Sequence, residues 1–502
     1  MHVPEESAGK LQVKVMSAAP NTARADEILT RTFPIGSFRD HPYAFGDRID
    51  WSANAMSEGE SSTIEWNAQL NRHFHFSHLY KAWWETGEEK YATELAEQMN
   101  SWIEDNPILL TQSGNSPYHH AWETLNTGIR LHASWPNALA HCLEAKAFTD
   151  DIIINILKSK VEQTRHLMRW PSTGNWRTAE AWGVYVTGLL YPEFKEAAVW
   201  RRFGIDSLYT QLQEEVYPDG LQYELALGYS NWTLQEFTDL YNAAVLNGME
   251  HELPPDYYSR LEKMYVYLMA NVMPGAVAFA LNDAGIGNVK RLLLDGYRLF
   301  KRPDMLYAAT DGRVGEPPPF DSLGQEWVGH YVMRSGWHQQ ANVLHMDAGL
   351  QGRAHIHQDK LTVALTAYGH HLLVDGGVSM YDRSRWRAYQ LLTRSHNTVL
   401  VDGMDQLGEN TMEAKIWPLP WEGDRPAGND TVWHSAPGVD YCQGWWKGRW
   451  REYVDRQNPA TAATRILDTV QHRRSVLFVK PDLWIVLDTL LASDQEQHTA
   501  EV

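Results

Sequence analysis

The chain has 502 residues, of which 43% are hydrophobic and 21% charged, and its formal net charge is −19. This length exceeds what one core usually supports, so two domains are expected, and the negative charge argues against nucleic acid as a partner. The sequence shows neither an apolar run long enough for a membrane helix nor a signal peptide at its start. A globular protein is therefore predicted, cytoplasmic or, if a leader was removed, periplasmic or secreted.

The aromatic content is high, with 22 tryptophans and 23 tyrosines. Trp and Tyr offer flat apolar faces with a polar edge, on which sugar rings stack. Most of the tryptophans are expected to fill helix–helix cores. Their excess over average composition still favours a protein that handles carbohydrate.

Residues 60–300 carry a helical pattern. Residues 73–86 and 88–105 show apolar side chains at helical spacing, and Gly87 between them is typical of a helix end. Further helical stretches are predicted at 121–145, 150–169, 178–190, 195–216, 232–248 and 256–272. Successive antiparallel helical hairpins bury their apolar faces as a bundle, a solenoid or a closed toroid.

The pattern changes near residue 310, where the Pro- and Gly-rich residues 312–321 indicate a linker. Strand-like runs separated by turn residues then follow at 327–337, 341–349, 360–369, 370–377, 396–403, 472–480 and 482–491. We predict an α+β multidomain chain, with a helical domain over 1–310 and an antiparallel β-sandwich over 311–502. The sequence stops where another strand could begin, so the natural protein is expected to continue.

Residues 353–360 read RAHIHQDK, with His355, His357 and Asp359 at alternating positions. In a strand such residues point to one face. Neighbouring antiparallel strands could bring His357 together with Asp375 and His396. Two histidines and one aspartate suit zinc, with manganese as second choice. The alternative is a set of solvent-facing histidines, since the chain contains 22.

Two stretches of the helical domain combine polar and aromatic residues. Asn175 and Trp176 precede a predicted helix, with Glu180 one turn further on. An Asn in that place is commonly an N-cap. Tyr223 and Tyr229 follow a Pro-Asp-Gly turn and are predicted to lie in a loop, where they are either packing residues or part of a site.

The chain resembles the heparinase II/III-type polysaccharide lyases, and most of all the heparinase III branch. The resemblance rests on AHIHQDKLTVALTAYGHHLLVDGG, on RSHNTVLVDGMDQ and on DGLQYELALGY, and it covers residues 40–495. It implies an incomplete (α/α) toroid followed by an antiparallel β-sandwich, with the substrate cleft between them. It also implies β-elimination, in which the bond at C4 of a uronic acid is cleaved and an unsaturated sugar remains.

The resemblance also implies roles for individual residues. Asn175 would contact the uronate carboxylate, with Glu180 as a supporting group, so that the charge developing at C5 is stabilised. Tyr229 would act as the acid, or as both acid and base, and His355 as base or stabiliser. Tyr223 is the alternative to Tyr229. The further substrate-binding candidates are Trp176, Arg177 and Glu224, and the metal triad is His357, Asp375 and His396, which would hold a structural zinc.

The predicted function is therefore a lyase on a glycosaminoglycan similar to heparan sulfate and low in sulfate. One alternative is a lyase on another polyuronate such as alginate. A second is a glycoside hydrolase on a similar toroid, which needs paired acids such as Glu180, Glu224 or Asp219. A third is a sugar-binding protein without catalysis. The expected partner in each case is a polysaccharide, in the leading case an acidic one.

Overall fold

The computed structural model describes residues 20–108, 120–408, 430–452 and 465–502. The described chain is mainly helical in its first three hundred residues and forms antiparallel sheets after them. Its contacts divide it into two compact units. Unit 1 runs up to Gln211 and includes Glu236–Pro255, and unit 2 comprises Leu212–Gln235 and Asp256–Val502. The predicted domain boundary after residue 310 stays a prediction.

The helices at Ala23–Leu29 and Glu65–Asn71 have no predicted stretch of their own, and the predicted stretch 121–145 is divided, whereas the others match predicted stretches. The helices that begin in unit 1 are numbered in chain order. They are α1 (Ala23–Leu29), α2 (Glu65–Asn71), α3 (Phe76–Thr86), α4 (Glu89–Asp105), α5 (Thr124–Ile129), α6 (Trp135–Cys142), α7 (Asp150–Arg169), α8 (Asn175–Leu190) and α9 (Ala197–Glu214). The π-helical turn Arg130–Ser134 joins α5 to α6, and the short strands Thr32–Phe33 (β1) and Tyr43–Ala44 (β2) pair with each other. Gly87 ends α3, as predicted from the sequence, and takes the left-handed conformation.

Tryptophan side chains fill the core of unit 1. Those that are almost completely buried include Trp66, Trp102, Trp122, Trp135 and Trp200. These indoles pack against one another and against neighbouring helices, so most of the aromatic excess serves packing, as expected.

Helices α5 and α8 approach each other at two glycines. A Cβ atom added to Gly183 would lie 2.7 Å from the carbonyl oxygen of Gly128, and one added to Gly128 would lie 2.7 Å from that of Ala179. Only glycine leaves room for backbones at this distance. The contact fixes the position of α8, whose first turns carry Asn175 and Glu180.

Unit 2 contains the remaining helices and most of the strands. Helix α10 (Leu227–Leu246) begins in it, and α11 (Tyr257–Ala270), α12 (Lys290–Phe300), α13 (Pro303–Ala309) and α14 (Arg385–Gln390) lie within it. Its strands are β3 (Val272–Met273), β4 (Val277–Ala278), β5 (Gly287–Asn288), β6 (Leu323–Gln325), β7 (His330–Arg334), β8 (Val343–Asp347), β9 (Val363–Ala367), β10 (His370–Leu373), β11 (Leu400–Val401), β12 (Asp405–Leu407), β13 (Val432–Ala436), β14 (Val439–Trp446), β15 (Arg449–Arg451), β16 (Ile466–Leu467), β17 (Val470–Val479), β18 (Leu483–Ala492) and β19 (Ala500–Glu501).

The two largest sheets of unit 2 share one core. A five-stranded sheet has the order β10-β9-β8-β7-β6 and a four-stranded sheet the order β13-β14-β17-β18, with every pair antiparallel. Met346 and Val363 of the first sheet and Cys442 and Phe478 of the second belong to a single buried cluster. This is the packing of a β-sandwich, in which alternate residues of both sheets face inward.

The prediction that RAHIHQDK forms a strand is wrong. The backbone is irregular there, strand β9 begins only at Val363, and His355 has φ +56°. The segment is bonded to other loops instead of to a strand, since Arg353 donates its N–H to the carbonyl of Tyr223 and His357 donates its own to Asn282. The strands from residue 432 to 451 were also missed by sequence analysis.

None of the described helices combines the length and apolarity that a membrane crossing requires.

We expect Gly183→Ala to lower the free energy of unfolding by about 1–3 kcal/mol, because the added methyl group forces α5 and α8 apart. Gly287→Ala is the matched control, since a Cβ there has its nearest neighbour at 3.9 Å. Thermal unfolding of the two variants measures the difference. Equal melting temperatures would contradict the tight contact.

Candidate active site

A folded loop before α10 positions Tyr223 and Glu224. Tyr223 donates its N–H to the carbonyl of Glu215 at 2.7 Å, and the chain turns at Gly220 with φ +101°. Tyr223 is buried, which raises the pKa of its phenol. Tyr229 was predicted to lie in this loop, but the helix begins earlier than expected, at Leu227, and Tyr229 is in its first turn.

Tyr229 and His355 form a stacked pair. Their ring centroids are 3.8 Å apart and the ring planes differ by 14°. His355 Nδ1 lies 3.0 Å from Glu224 Oε2, and this carboxylate is buried. A carboxylate partner favours the proton on Nδ1, which leaves Nε2 with its lone pair. The predicted catalytic residues Tyr229 and His355 are thus brought together, with Glu224 orienting the imidazole.

A second tyrosine extends this pair towards a buried carboxylate. The hydroxyls of Tyr229 and Tyr381 are 2.6 Å apart, and Tyr381 donates to Asp283 Oδ2 at 3.0 Å. Arg387 binds the same carboxylate with both terminal nitrogens, one of them at 2.7 Å. Sequence analysis missed Tyr381, Asp283 and Arg387, because no local pattern marks residues that meet across a hundred positions.

Asp283 also reaches the predicted metal triad. His357 Nε2 lies 2.8 Å from Asp283 Oδ1, and His396 Nδ1 lies 2.7 Å from Asp375 Oδ2. One ligand atom from each of His357, Asp375 and His396 falls within 4.8 Å of the others.

The donor atoms of this triad suit a metal ion. The second ring nitrogens, His357 Nδ1 and His396 Nε2, are buried without a hydrogen-bond partner among the described residues. A buried imidazole nitrogen is normally satisfied by a hydrogen bond or by a metal. The three predicted ligands therefore lie together and can hold an ion.

Asp359, the third residue of the alternating pattern, is also buried. Its Oδ2 has no hydrogen-bond partner among the described residues, and burial raises the pKa of the carboxyl. It lies outside the group of three that can hold a metal.

The candidates in unit 1 cluster at the start of α8. Asn175 is its first residue and is buried, while Gly174, with φ +67°, takes the N-cap position. The interpretation of Asn175 as an N-cap is therefore wrong. Glu180 is buried and accepts hydrogen bonds from Ser172, and burial raises the pKa of its carboxyl. Trp176 and Arg177 are half-buried.

Two family models together match most of the chain. The heparinase II/III N-terminus model matches residues 5–306, and the heparinase II/III-like C-terminal model matches residues 318–502. The chain belongs to the heparinase II/III family. The family predicted from the sequence is confirmed.

Curated relatives extend the match to named proteins. A heparin-sulfate lyase of Bacteroides stercoris is 27% identical over 505 residues, covering 96% of this chain and 70% of the relative. A heparin-sulfate lyase of Pedobacter heparinus is 27% identical over 455 residues, covering 89% of this chain and 62% of the relative. The chain thus spans about two thirds of the length of these relatives.

Solved structures of heparinase III share the fold. One superimposes with a TM-score of 0.69 at 25% identity, covering 97% of this chain and 74% of the other. A second gives a TM-score of 0.78 at 21% identity, covering 96% and 72%. The predicted fold class, an (α/α) toroid followed by an antiparallel β-sandwich, is confirmed.

We expect His357→Ala to weaken binding of a divalent metal at least about tenfold and to lower the melting temperature. The change removes one nitrogen ligand and deprives Asp283 of a buried donor. Equilibrium dialysis with metal analysis measures the first effect and thermal unfolding the second.

The matched control is His434→Ala on β13, because His434 is exposed. Metal content and melting temperature equal to those of the control would contradict a metal at the triad.

Proposed function

We propose that this protein is a polysaccharide lyase that cleaves heparan-sulfate-like chains by β-elimination next to a uronic acid. Membership of the heparinase II/III family and the name of the curated relatives, heparin-sulfate lyase, support the proposed enzyme and substrate class. The observation that carries the chemistry is the stacked pair of Tyr229 and His355, with Glu224 behind the imidazole. A preference for low sulfation stays a prediction.

β-Elimination needs a base for the C5 proton, an acid for the leaving oxygen and a partner for the uronate carboxylate. We assign the base to His355, because Glu224 on Nδ1 leaves Nε2 able to accept a proton. Tyr229 carries the acid, since its hydroxyl holds a proton that it can give to the departing O4. The proton can be replaced through the hydroxyl of Tyr381, 2.6 Å away.

Asn175 is assigned to the uronate carboxylate. Its amide can donate hydrogen bonds to the charge that grows there once the C5 proton leaves. The neighbouring Trp176 and Arg177 are half-buried, and we assign them to substrate binding, whereas Glu180 accepts hydrogen bonds from Ser172. Glu180 therefore supports the start of α8, and the buried Tyr223 supports the loop before α10, which we call the tyrosine loop.

Zinc is the metal we assign to His357, Asp375 and His396, because two imidazole nitrogens and one carboxylate are ligands that zinc prefers. When bound, the ion would supply a fixed charge that holds these three side chains in place. His357 links this cluster to Asp283, and Asp283 holds Tyr381. The candidate metal ligands are thus linked, through Asp283, to the Tyr381 hydroxyl that contacts Tyr229.

The side chains favour a lyase over the alternative of a glycoside hydrolase. A hydrolase needs two carboxyl groups that are free to act on one linkage. Of the candidates, Glu224 is bonded to His355, Glu180 to Ser172, and Asp219 to the N–H of Val328.

The substrate is tested by incubating the protein with heparan sulfate, heparin, alginate and hyaluronan in parallel. We expect the ultraviolet absorbance of the unsaturated uronate to rise fastest with heparan sulfate of low sulfation. A faster rise in absorbance with alginate would show that the protein is a lyase on that polyuronate instead. New reducing ends without this absorbance would show hydrolysis, and no reaction with any of the four would contradict the lyase.

The roles of Tyr229 and His355 can be tested separately with a synthetic uronate that carries a 4-nitrophenoxy group at C4. This group leaves as 4-nitrophenolate and needs no proton from an acid. On heparan sulfate, Tyr229→Phe and His355→Gln should each lower kcat by about 10²–10⁴-fold. On the activated substrate, Tyr229→Phe should recover most of its rate while His355→Gln stays slow. Release of nitrophenolate gives the rate.

The matched control is Tyr368→Phe, which removes the hydroxyl of an exposed tyrosine between β9 and β10. Its rates on both substrates should equal those of the unaltered protein. If Tyr229→Phe stays equally slow on the activated substrate, Tyr229 is the base as well as the acid.

A further inference from the structure

A basic and aromatic segment follows Tyr381 in the chain. Residues 383–394 contain four arginines and no aspartate or glutamate, in a protein whose net charge is −19. The segment includes helix α14, which spans Arg385–Gln390. Such a local concentration of positive charge on an acidic protein needs a reason.

The segment is anchored by two buried carboxylates, one at its middle and one at its C-terminal end. Arg387 binds Asp283, and its guanidinium carbon lies 4.9 Å from the ring centre of Tyr381. At the C-terminal end Arg394 binds the buried Asp405 at 2.8 Å. Since Asp283 also holds Tyr381, α14 is attached directly to the network around the catalytic tyrosine.

The other side of the segment faces solvent. Trp386 is 62% exposed and Tyr389 is 42% exposed, with ring centroids 6.5 Å apart in an edge-to-face arrangement. Arg385 is exposed too, and its guanidinium carbon lies 5.0 Å from the centre of the Trp386 ring. Every other tryptophan in the described part of the chain is buried or half-buried. Together the exposed indole and phenol present two neighbouring flat apolar faces, with polar edges, to a ligand.

We propose that Arg385, Trp386 and Tyr389 bind an anionic sugar ring of the substrate chain, close to the linkage that is cleaved. The proposal rests on the lyase function proposed above. The indole and phenol faces suit a sugar ring, and the Arg385 guanidinium suits a sulfate or carboxylate group on it. These three residues form the sugar-binding patch.

The local charges support an anionic occupant. Two neighbouring carboxylates are neutralised by ion pairs, because Asp283 binds Arg387 and Asp405 binds Arg394. Asp382 accepts two hydrogen bonds from Ser384 and keeps its charge. The exposed Arg383 and Arg385 outweigh the single charge of Asp382, so the surface around the patch is positive.

The test compares steady-state kinetics of patch variants on heparan sulfate. Trp386→Ala should raise KM about three- to tenfold with kcat within about twofold, because one stacking contact is lost away from the reacting atoms. Trp386→Phe, which keeps an aromatic face, should restore KM to within about twofold of the unaltered protein. Arg385→Gln should reduce the slope of log KM against log salt concentration by about one, since one ionic contact disappears.

Tyr368→Ala is the matched control for Trp386→Ala. Tyr368 is 58% exposed and lies in the turn between β9 and β10. The candidate metal ligand Asp375 follows the other end of β10, so the change is not made next to it in the chain. Its KM should not change. Far-ultraviolet circular dichroism and melting temperature establish that each variant is folded.

The proposal is overturned if Trp386→Ala and Arg385→Gln leave both KM and the salt slope unchanged in an active enzyme. It is also overturned if Trp386→Phe raises KM as much as Trp386→Ala does. Failure of the lyase function gives a different result, since the unaltered protein would then produce no unsaturated uronate at all.

Discussion

The carboxylate of Asp283 is the interaction on which the site in unit 2 depends. It accepts hydrogen bonds from His357 and from Tyr381 and Arg387, which lie in two segments of the chain far from Asp283 in the sequence. Burial alone would raise the pKa of Asp283, but the hydrogen bonds from His357 and Arg387 lower it to about 2. A buried charge with this many partners is costly to leave unpaired, so each partner holds the others in place.

One carboxylate therefore ties together three parts of the proposed chemistry. Through His357 it reaches the candidate metal ligands, and through Tyr381 it reaches the hydroxyl of Tyr229. Through Arg387 it fixes the short helix that exposes Trp386. The catalytic pair itself has a separate support, because Glu224 orients His355 from the tyrosine loop. The arrangement is that of a fixed set of donors and acceptors, which is what stabilising a developing charge requires.

Much of the fold could be predicted because its signals are local. Helical periodicity and turn residues gave α3, α4 and α7 nearly to the residue, and the change to alternating strands near residue 310 was also visible. The metal triad could be predicted because the motifs around His357, Asp375 and His396 resemble those of a known family. Local patterns drew attention to Asn175, Tyr229 and His355, but only the resemblance gave them roles in catalysis.

The errors arose where distant parts of the chain decide the local structure. RAHIHQDK alternates like a strand, but Arg353 and His357 bond to loops that lie more than seventy residues away in the sequence. Alternation therefore indicated His355 and His357, although the strand geometry from which we inferred their importance is absent. Asp283 and Tyr381 were missed because each has an ordinary local sequence, and their importance comes only from what they contact.

The contrast between the overall charge and the sugar-binding patch has a kinetic consequence. A protein of net charge −19 repels a polyanion over most of its surface, and at physiological salt this repulsion reaches about 8 Å. A positive area within such a surface does more than add affinity, because it selects the direction from which a chain can come close. Electrostatic repulsion disfavours approach of the chain from other directions. The acidity of the molecule, which at first seems to oppose an acidic substrate, would then act as a guide that orients each encounter.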